Sequence, residues 1–401
     1  MFARRFWHAR ITQAWLRRPI VWLMGVRRAG KTTLAQSLPD CEYFDCELPR
    51  TRALLGDPES FLAARPARTI VLDEIHRLAD PAELLKIAAD HYPGIRILAT
   101  GSSTLGASAR FRDTLAGRKA EVWLTPMTCA DLADFAAGAQ TRTGSGAADF
   151  RHRLLRGGLP EFFLASTLPE HAYQEWIDAY WARDILELFR LERRHAFRRL
   201  FELVLVHSGG IFEATRFAVP CEVSRTTIAN YLAVLEATFA VHVVRPYAAG
   251  GRAEIVSAPR VYGFDTGFVC HQRGWTELRS DDLGCLWEHL VLNELQAHLG
   301  RDQVRYWRTR HGNEIDFVVV GRGRPPVAIE CKWAASEFDP AGMRVFRAAY
   351  PGGHNFVVAA DVSPGRPYQR AIGPLLVRFI ALADLEQEMG TGGSGRKSLP
   401  E

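Results

Sequence analysis

A glycine-containing loop between an apolar run and an amphipathic segment is the feature that most constrains how this chain can fold. The loop reads G-V-R-R-A-G-K-T-T from Gly25 to Thr33, it follows the apolar residues 21–24, and Leu34 and Leu38 come after it at helical spacing. A strand, then G-x4-G-K-T, then a helix is the pattern of a phosphate-binding loop, whose glycines let main-chain N–H groups turn toward phosphate oxygens. The sequence therefore predicts a nucleotide site near the N-terminal end.

The lysine and the hydroxyl residue of this loop have separate predicted roles. Lys31 is expected to bridge the β- and γ-phosphates of a nucleoside triphosphate, and Thr32 to offer its hydroxyl to Mg²⁺. The predicted nucleotide-binding set is Gly25, Arg28, Ala29, Gly30, Lys31, Thr32, Thr33, Asp73 and Ser102.

A second apolar run, residues 69–72, ends in the acidic pair Asp73-Glu74. Asp73 is expected to hold Mg²⁺ through water, and Glu74 to orient and polarise the water that attacks the γ-phosphate. The alternative is a plain glycine turn plus a surface acidic pair, which would need this ordered set of elements to arise by chance. The residues favour an ATPase with ATP and Mg²⁺ as cofactors.

Two further polar positions follow in the same part of the chain. A third strand, residues 95–99, leads to Ser102, the candidate sensor of the γ-phosphate. A helix-like segment, residues 105–115, then leads to Arg118 and a strand at 120–124. Arg118 either caps the last turn of its own helix or reaches the nucleotide of a neighbouring subunit in a homo-oligomer as an arginine finger.

A helix-turn-helix pattern occupies the middle of the chain. A short helix is expected at 211–215 and a second one after the N-cap residue Ser224, with Arg225, Thr226 and Asn230 on its outward face. The residues 241–245 and the turn Gly250-Gly251 then suggest a β-wing. Such a module either binds double-stranded DNA or serves as a spacer or subunit contact.

Acidic residues recur near the C-terminus on one helix and two of three expected strands. Glu288 lies on an amphipathic helix at 283–299, and strands are expected at 304–308, 314–320 and 327–333, where Asp316, Glu330 and Lys332 fall. Glu288, Asp316 and Glu330 would form an all-oxygen pocket for Mg²⁺ or Mn²⁺, with Lys332 placed to orient or deprotonate water for attack on a phosphodiester. The alternative is an ordinary salt-bridged sheet.

Composition narrows the class of protein without identifying it. A chain of 401 residues is long enough for two or three domains, and its net charge of +5 is too mild to indicate nucleic acid binding alone. The seven cysteines form no C-x-x-C pair, which favours a cytoplasmic location over a disulfide framework or structural zinc. No apolar stretch approaches membrane-spanning length, so no membrane partner is expected.

Ten motifs in fixed order resemble one family. They are G-V-R-R-A-G-K-T-T, V-L-D-E-I-H-R-L, L-A-T-G-S-S, L-A-G-R, G-G-L-P-E, the helix-turn-helix stretch, Y-G-F-D-T-G, L-W-E-H-L-V-L-N-E-L, N-E-I-D-F and I-E-C-K. Together they resemble prokaryotic AAA-type ATPases whose C-terminal domain of unknown function is related to PD-(D/E)XK nucleases. Val26, Arg28 and His76 depart from the residues common in relatives.

This resemblance implies an α/β fold throughout. It implies a P-loop AAA-type parallel-sheet domain at 1–148, a helical lid at 149–200, a winged helix at 201–257, a restriction-endonuclease-like α/β domain at 258–389 and a flexible tail at 390–401. The metal residues of the last domain would be Glu288, Asp316 and Glu330, with Lys332 as the catalytic lysine.

Two main hypotheses for function remain open at this point. The first is an ATP-hydrolysing, DNA-associated protein with a nuclease-like C-terminal domain. The second is a nucleotide-gated binding or assembly protein whose nuclease-like domain is catalytically inactive. A transcription regulator that uses only the helix-turn-helix is a third.

Overall fold

The computed structural model of the protein describes residues 4–66, 68–101, 109–139, 147–167, 171–185, 193–248 and 258–391. The chain divides into two units. The first comprises Met1–Arg142, Leu159–Arg194 and Leu232–Ala240, and the second comprises Thr143–Gly158, His195–Tyr231 and Val241–Glu401. The predicted domain boundaries are finer than this division and stay predictions.

The first unit is built on a parallel five-stranded sheet. Its strands are β1 (Ile20–Met24), β2 (Cys41–Asp45), β3 (Thr69–Asp73), β4 (Arg96–Thr100) and β5 (Lys119–Trp123). They lie in the order β2-β3-β4-β1-β5, and every neighbouring pair is parallel. The loops that follow β1, β3 and β4 therefore leave the sheet at the same edge. The predicted strands in this region are confirmed, whereas β2 was not predicted.

Helices occur in both units, and their bounds are as follows. They are α1 (Arg5–Trp15), α2 (Lys31–Gln36), α3 (Pro49–Leu54), α4 (Pro58–Ala63), α5 (Pro81–His91), α6 (Ala109–Thr114), α7 (Cys129–Ala139), α8 (Ala147–Arg156), α9 (Pro160–Leu164), α10 (Ala172–Tyr180), α11 (Arg194–Val206), α12 (Ala214–Ala218), α13 (Arg225–Ala237), α14 (Thr266–Gln272), α15 (Ser280–Leu299), α16 (Ala341–Ala349) and α17 (Leu385–Thr391). A π-helical turn, Trp181–Ile185, continues α10. Short 3-10 turns are Ile75–Arg77, Arg301–Gln303, Ala335–Glu337 and Leu382–Asp384.

The core of the first unit is the apolar side chains of the sheet and its flanking helices. Its fully buried side chains include Trp22, Ile70, Leu72 and Leu85. Burying such a side chain stabilises the fold by about 1.5–3 kcal/mol. The continuous apolar runs of β1 and β3 are explained by this burial on both faces of the sheet.

A buried ion pair fastens the N-terminal helix α1 to α7. The Asp131 carboxylate accepts hydrogen bonds from Arg4 Nε at 2.8 Å, Arg4 Nη2 at 2.7 Å and Trp7 Nε1 at 3.0 Å. The amide and hydroxyl of Thr128 donate to it as well, each at 3.0 Å. Arg4 Nη1 also donates to the carbonyl of Ala29 at 3.0 Å, so this network reaches the phosphate loop.

The helix-turn-helix region of the second unit carries a small antiparallel sheet. Its strands are β6 (Gly210–Ile211), β7 (Val241–Val244) and β8 (Arg260–Gly263), in the order β6-β8-β7. The expected helix at 211–215 was misplaced, because Gly210–Ile211 pairs with β8 and α12 begins only at Ala214. The predicted N-cap is confirmed: the Ser224 hydroxyl accepts the Thr227 N–H at 3.1 Å. The turn Gly250-Gly251 lies outside the described residues.

The C-terminal part of the second unit contains a six-stranded mixed sheet. Its strands are β9 (Val304–Arg308), β10 (Glu314–Val319), β11 (Val327–Lys332), β12 (Asn355–Ala359), β13 (Tyr368–Ile372) and β14 (Leu375–Ile380), in the order β13-β14-β12-β11-β10-β9. Parallel pairing joins β11 to β12 and β12 to β14, and the other pairs are antiparallel. The first three strands and α15 are confirmed predictions, and the last three strands were not predicted. Helix α17 reaches two residues into the predicted tail, and residues 392–401 lie outside the description.

Two of the sequence motifs meet inside the second unit. Asp265, in F-D-T-G, accepts the N–H of Gly158 at 2.6 Å and that of Gly267 at 2.9 Å. Gly157, in G-G-L-P-E, has a φ of +83°, and a Cβ there would lie 1.9 Å from Asp265 Oδ1. Both motifs therefore have a structural explanation in which a buried carboxylate needs close backbone approach.

In the part of the chain that the structure describes, no helix combines the length and the apolar character required to cross a membrane.

Candidate nucleotide site and acidic cluster

The phosphate loop links β1 to α2 through a tight backbone path. A Cβ on Gly25 would lie 2.5 Å from the carbonyl oxygen of Leu124, and Gly30 has a φ of +93°. Arg28 also has a positive φ, 61°, a conformation that costs a non-glycine residue of order 1–3 kcal/mol. The loop thus places its two glycines where side chains would collide or strain the backbone, as the sequence pattern predicts.

Lys31 lies over the loop that precedes it. Its ammonium donates to the carbonyl oxygens of Gly25 at 2.9 Å and Val26 at 3.1 Å. Thr32 and Thr33 are exposed at the start of α2. The ammonium of Lys31 and the hydroxyl of Thr32 therefore both belong to the segment that follows the end of β1.

Asp73 ends β3 as a buried carboxylate with two hydroxyl partners. Tyr43, in the middle of β2, donates to Asp73 Oδ2 at 2.7 Å, and the Thr100 hydroxyl donates to Asp73 Oδ1. Thr100 also accepts the N–H of Glu74 at 3.1 Å. Sequence reasoning missed both hydroxyl residues. The motif L-A-T-G-S-S contained the signal for Thr100, because a polar residue ending a buried strand needs a partner.

Glu74 adopts a left-handed conformation, with φ 53° and ψ 44°, that turns it away from the line of β3. Its Oε2 lies 3.1 Å from Nδ1 of His76. Burial raises the pKa of Glu74, but the His76 hydrogen bond and the nearby positive charge of Lys31 outweigh it and lower the pKa below its usual value. Glu74 is thereby kept ionised close to Lys31.

The outer side of the phosphate loop contacts the second segment of the first unit. Trp176 Nε1 donates to the carbonyl of Arg27 at 3.2 Å, and Arg28 forms an ion pair with Glu161 at 3.1 Å. Glu161 belongs to G-G-L-P-E, so this motif gives residues to both units. Neither Glu161 nor Trp176 had been predicted as a neighbour of the loop.

Two predicted positions in this unit have other outcomes. Ser102 lies outside the described residues. Arg118 forms a two-pronged ion pair with Asp90, Nε to Oδ1 at 2.7 Å and Nη2 to Oδ2 at 3.0 Å. Its Nη1 also donates to the carbonyl of Thr114, in the last turn of α6, at 3.4 Å. These contacts are those of the capping alternative, and action on a neighbouring subunit stays a prediction.

In the second unit, the structure brings the predicted acidic residues together around two cations. Lys332 Nζ lies 2.9 Å from Glu330 Oε2 and 4.0 Å from Asp316 Oδ2. Asp316 Oδ2 also accepts the main-chain N–H of Cys331 at 2.8 Å. The predicted partners therefore lie side by side at one place on β10 and β11.

Arg260, on β8, is the residue of this cluster that sequence reasoning missed. Its Nη1 lies 2.9 Å from Glu288 Oε1 and 3.8 Å from Asp316 Oδ1, and its Nη2 lies 2.7 Å from Glu314 Oε2. The side chain is 7% exposed. The four residues of β8 are all buried, and an arginine in such a strand requires carboxylate partners, which was the available signal.

Burial also governs ionisation in this cluster. Burial and the nearby Asp316 raise the pKa of Glu288 and of Glu330. The pKa of Lys332 is raised as well: burial lowers it, but the charges of Asp316 and Glu330 outweigh burial and keep the ammonium protonated. Among the residues described, no group of three or more His, Cys, Asp or Glu side chains is arranged to hold a metal ion. The predicted pocket for Mg²⁺ or Mn²⁺ does not fit these contacts.

The exposed face of α13 matches its prediction. Arg225, Thr226 and Asn230 are exposed, whereas Ile228 and Tyr231 are buried. The helix therefore presents polar side chains near its N-terminal end.

A parallel sheet in the order β2-β3-β4-β1-β5, with a phosphate loop after β1 and Asp-Glu after β3, is the fold of AAA-type P-loop NTPases. The AAA domain family matches residues 17–133. Two families of domains of unknown function match later parts of the chain, DUF8612 at 147–279 and DUF4143 at 283–364.

Two relatives match most of the length of this chain. It is 31% identical over 388 residues to the uncharacterized protein Rv2008c of Mycobacterium tuberculosis, covering 90% of this chain and 83% of that protein. The same values hold for the uncharacterized protein Mb2031c of Mycobacterium bovis. The chain belongs to the family of these two mycobacterial proteins. Among solved structures, a Walker-type ATPase of Pyrococcus abyssi is similar with a TM-score of 0.45 and 15% identity, over 68% of this chain and 96% of that one.

Proposed function

We propose that this chain binds ATP with Mg²⁺ and hydrolyses it at the edge of the parallel sheet where β1, β3 and β4 end. The observation that carries the proposal is the grouping of Lys31, Asp73 and Glu74 at that edge, with Glu74 held ionised beside His76. An ionised carboxylate near the phosphate loop is what the orientation of an attacking water requires.

Each residue has a defined part in the proposed reaction. The main-chain amides from Gly25 to Gly30 surround the phosphates, and Lys31 exchanges its two carbonyl partners for phosphate oxygens. Thr32 would offer its hydroxyl to Mg²⁺ and Asp73 would hold the ion through water, and the bound ion would neutralise charge on the β- and γ-phosphates. Glu74 accepts a hydrogen bond from the attacking water and aligns it.

The test is steady-state ATP hydrolysis by wild type, Lys31→Ala and Glu74→Gln. Lys86, an exposed lysine of α5, provides the matched control as Lys86→Ala. We expect both site variants to lose turnover, Lys31→Ala with weakened binding of a fluorescent ATP analogue and Glu74→Gln with binding retained. Equal turnover in wild type and Lys31→Ala would contradict the proposal.

A second proposed activity is association with duplex DNA through α13. The order α11, β6, α12, α13, β7, β8, with β8 between the other two strands, supports a winged-helix module. The exposed Arg225, Thr226 and Asn230 support the use of α13 as the recognition helix, since they lie near its N-terminal end.

Electrophoretic mobility shift with random duplex DNA at several salt concentrations tests this activity. Phosphate contacts make binding fall with salt, and loss of one contact weakens the salt dependence. We expect Arg225→Ala to weaken binding, while Arg344→Ala, which removes an exposed arginine of α16, leaves it unchanged. Binding that is equal in all three proteins, or absent in all three, removes the DNA proposal.

For the C-terminal domain, two hypotheses come from the sequence: a nuclease with Lys332 as its catalytic lysine, or a domain related to nucleases that binds a partner without cutting. The contacts of Arg260 with Glu288 and Asp316 favour the second. Plasmid incubated with Mg²⁺ or Mn²⁺ and either wild type or Asp316→Ala tests this choice. We expect no cutting above background by either protein, and cutting by wild type alone would restore the nuclease.

A further inference from the structure

Arg260 lies among the acidic residues that the sequence analysis predicted to bind a metal ion. Its guanidinium contacts carboxylates from three positions, Glu288 on α15 and Glu314 and Asp316 on β10. It also lies over the ring of Tyr306, 5.3 Å from the ring centroid. A guanidinium in a fork of this kind is geometrically matched to carboxylates.

One oxygen of each carboxylate that a metal would use already accepts a hydrogen bond from the protein. Glu288 Oε1 is bonded to Arg260 and accepts a further hydrogen bond from the Tyr262 hydroxyl. Asp316 Oδ2 accepts the N–H of Cys331, and Glu330 Oε2 accepts a hydrogen bond from Lys332. Mg²⁺ requires about six oxygen ligands near 2.0–2.1 Å in octahedral geometry. It would have to displace these donors and lie beside a fixed positive charge.

We propose that Arg260 replaces the divalent cation in this cluster, so that the C-terminal domain excludes Mg²⁺ and Mn²⁺ from the carboxylates at Glu288, Asp316 and Glu330. The cluster is an internal ion-pair centre that joins β8, α15, β10 and β11. The inference deepens the proposal of a C-terminal domain that does not cut, and it is independent of ATP hydrolysis at the other site.

Removing Arg260 should therefore create a metal site. Arg260→Gln keeps much of the side-chain length but leaves the carboxylates without their central cation. For a divalent cation, one unit charge about 4 Å away at an effective dielectric constant of about 20 can change the affinity by up to roughly six orders of magnitude. We expect at least about a tenfold gain in Mn²⁺ affinity within that limit.

The experiment is calorimetric titration of nucleotide-free full-length protein with Mn²⁺, using wild type, Arg260→Gln, Arg260→Lys and the double variant Arg260→Gln/Asp316→Asn. The expected pattern is a new Mn²⁺ site in Arg260→Gln alone. Arg260→Lys preserves the charge and should bind Mn²⁺ like wild type. A folded Arg260→Gln protein that gains no Mn²⁺ affinity overturns the proposal.

A second comparison keeps the test decisive if Arg260→Gln does not fold. Wild type and Asp316→Asn should then show the same Mn²⁺ affinity within about twofold, because the cluster binds no metal in either protein. Tighter binding by wild type, lost in Asp316→Asn, overturns the inference. Plasmid cutting and Mn²⁺ uptake are separate measurements, so failure of this inference is distinguishable from failure of the proposal on cutting.

Discussion

Replacing Asp131 with asparagine should detach the N-terminal helix α1 from α7. Asp131 is 0% exposed and Arg4 is 4% exposed, so the substitution leaves a buried guanidinium without its counter-charge. Breaking one side of a buried ion pair costs about 3–5 kcal/mol. Asp134 is 7% exposed, but its partner Arg5 is 74% exposed and stays solvated after the same change, which should therefore cost at most about 1 kcal/mol.

Hydrogen–deuterium exchange measured by mass spectrometry gives the local effect without requiring two-state unfolding of a chain with two units. A loss of about 3 kcal/mol corresponds to roughly 100-fold faster exchange. We expect this acceleration in peptides that cover α1 and α7 of Asp131→Asn, and less than about fivefold in Asp134→Asn. Equal exchange in the two variants would refute the reasoning from burial.

The ionisation of Asp131 adds a pH dependence with a defined sign. Burial raises its pKa, but the hydrogen bonds and charge of Arg4 outweigh burial and lower the pKa below its unfolded value. The contribution of the carboxylate is therefore complete above its unfolded pKa of about 3.9 and disappears as pH falls through the lower folded value. Protection of α1 should fall with acidification in wild type, and this component should be missing from Asp131→Asn.

Three further predictions concern single positions. His76→Ala should lower kcat for ATP about tenfold at unchanged KM, because it frees the Glu74 side chain, and this loss is a small part of the 10²–10⁴ that a catalytic base contributes. His76→Gln keeps a hydrogen-bond donor and should restore kcat. Equal loss of kcat in both variants would contradict a positioning role for His76. Gly157→Ala should destabilise the second unit in a denaturant titration because its Cβ meets a buried carboxylate, whereas Gly284→Ala, with open space around its Cβ in α15, should stabilise it by up to about 1 kcal/mol. Arg118→Ala should leave ATP turnover within about twofold, because its guanidinium is paired inside its own chain; a loss near the 10³–10⁵ of an arginine finger would reverse that interpretation.

The sequence was most informative where local chemistry alone decides the structure. The runs in β1 and β3 are continuous and apolar because the sheet buries both faces, and this pattern is readable without any tertiary knowledge. Strand β2 was missed because C-E-Y-F-D is only half-buried at all five positions, so it carries neither a continuous apolar run nor a clear alternation. The helix misplaced at 211–215 failed because Gly210–Ile211 pairs with β8, a partner some fifty residues away in sequence.

The same distinction holds for the two sites. A contiguous motif predicts Lys31 and Thr32, since their spacing along the chain fixes their relation to the loop. The contacts of Tyr43 with Asp73 and of Arg260 with Glu288 join residues from different strands and helices. The strand register and the sheet topology decide such contacts, and neither can be read directly from a single sequence.

The Tyr43 phenol on Asp73 has a consequence for the order of events at the nucleotide site. With one carboxylate oxygen hydrogen-bonded to Tyr43 and the other to Thr100, free Mg²⁺ meets an aspartate whose lone pairs are shared with two hydroxyl groups. A cation already chelated by a triphosphate brings its own ligands and needs from Asp73 only a water-mediated contact. The cation should therefore enter together with ATP as one preassembled complex, and the nucleotide-free site should not bind free Mg²⁺.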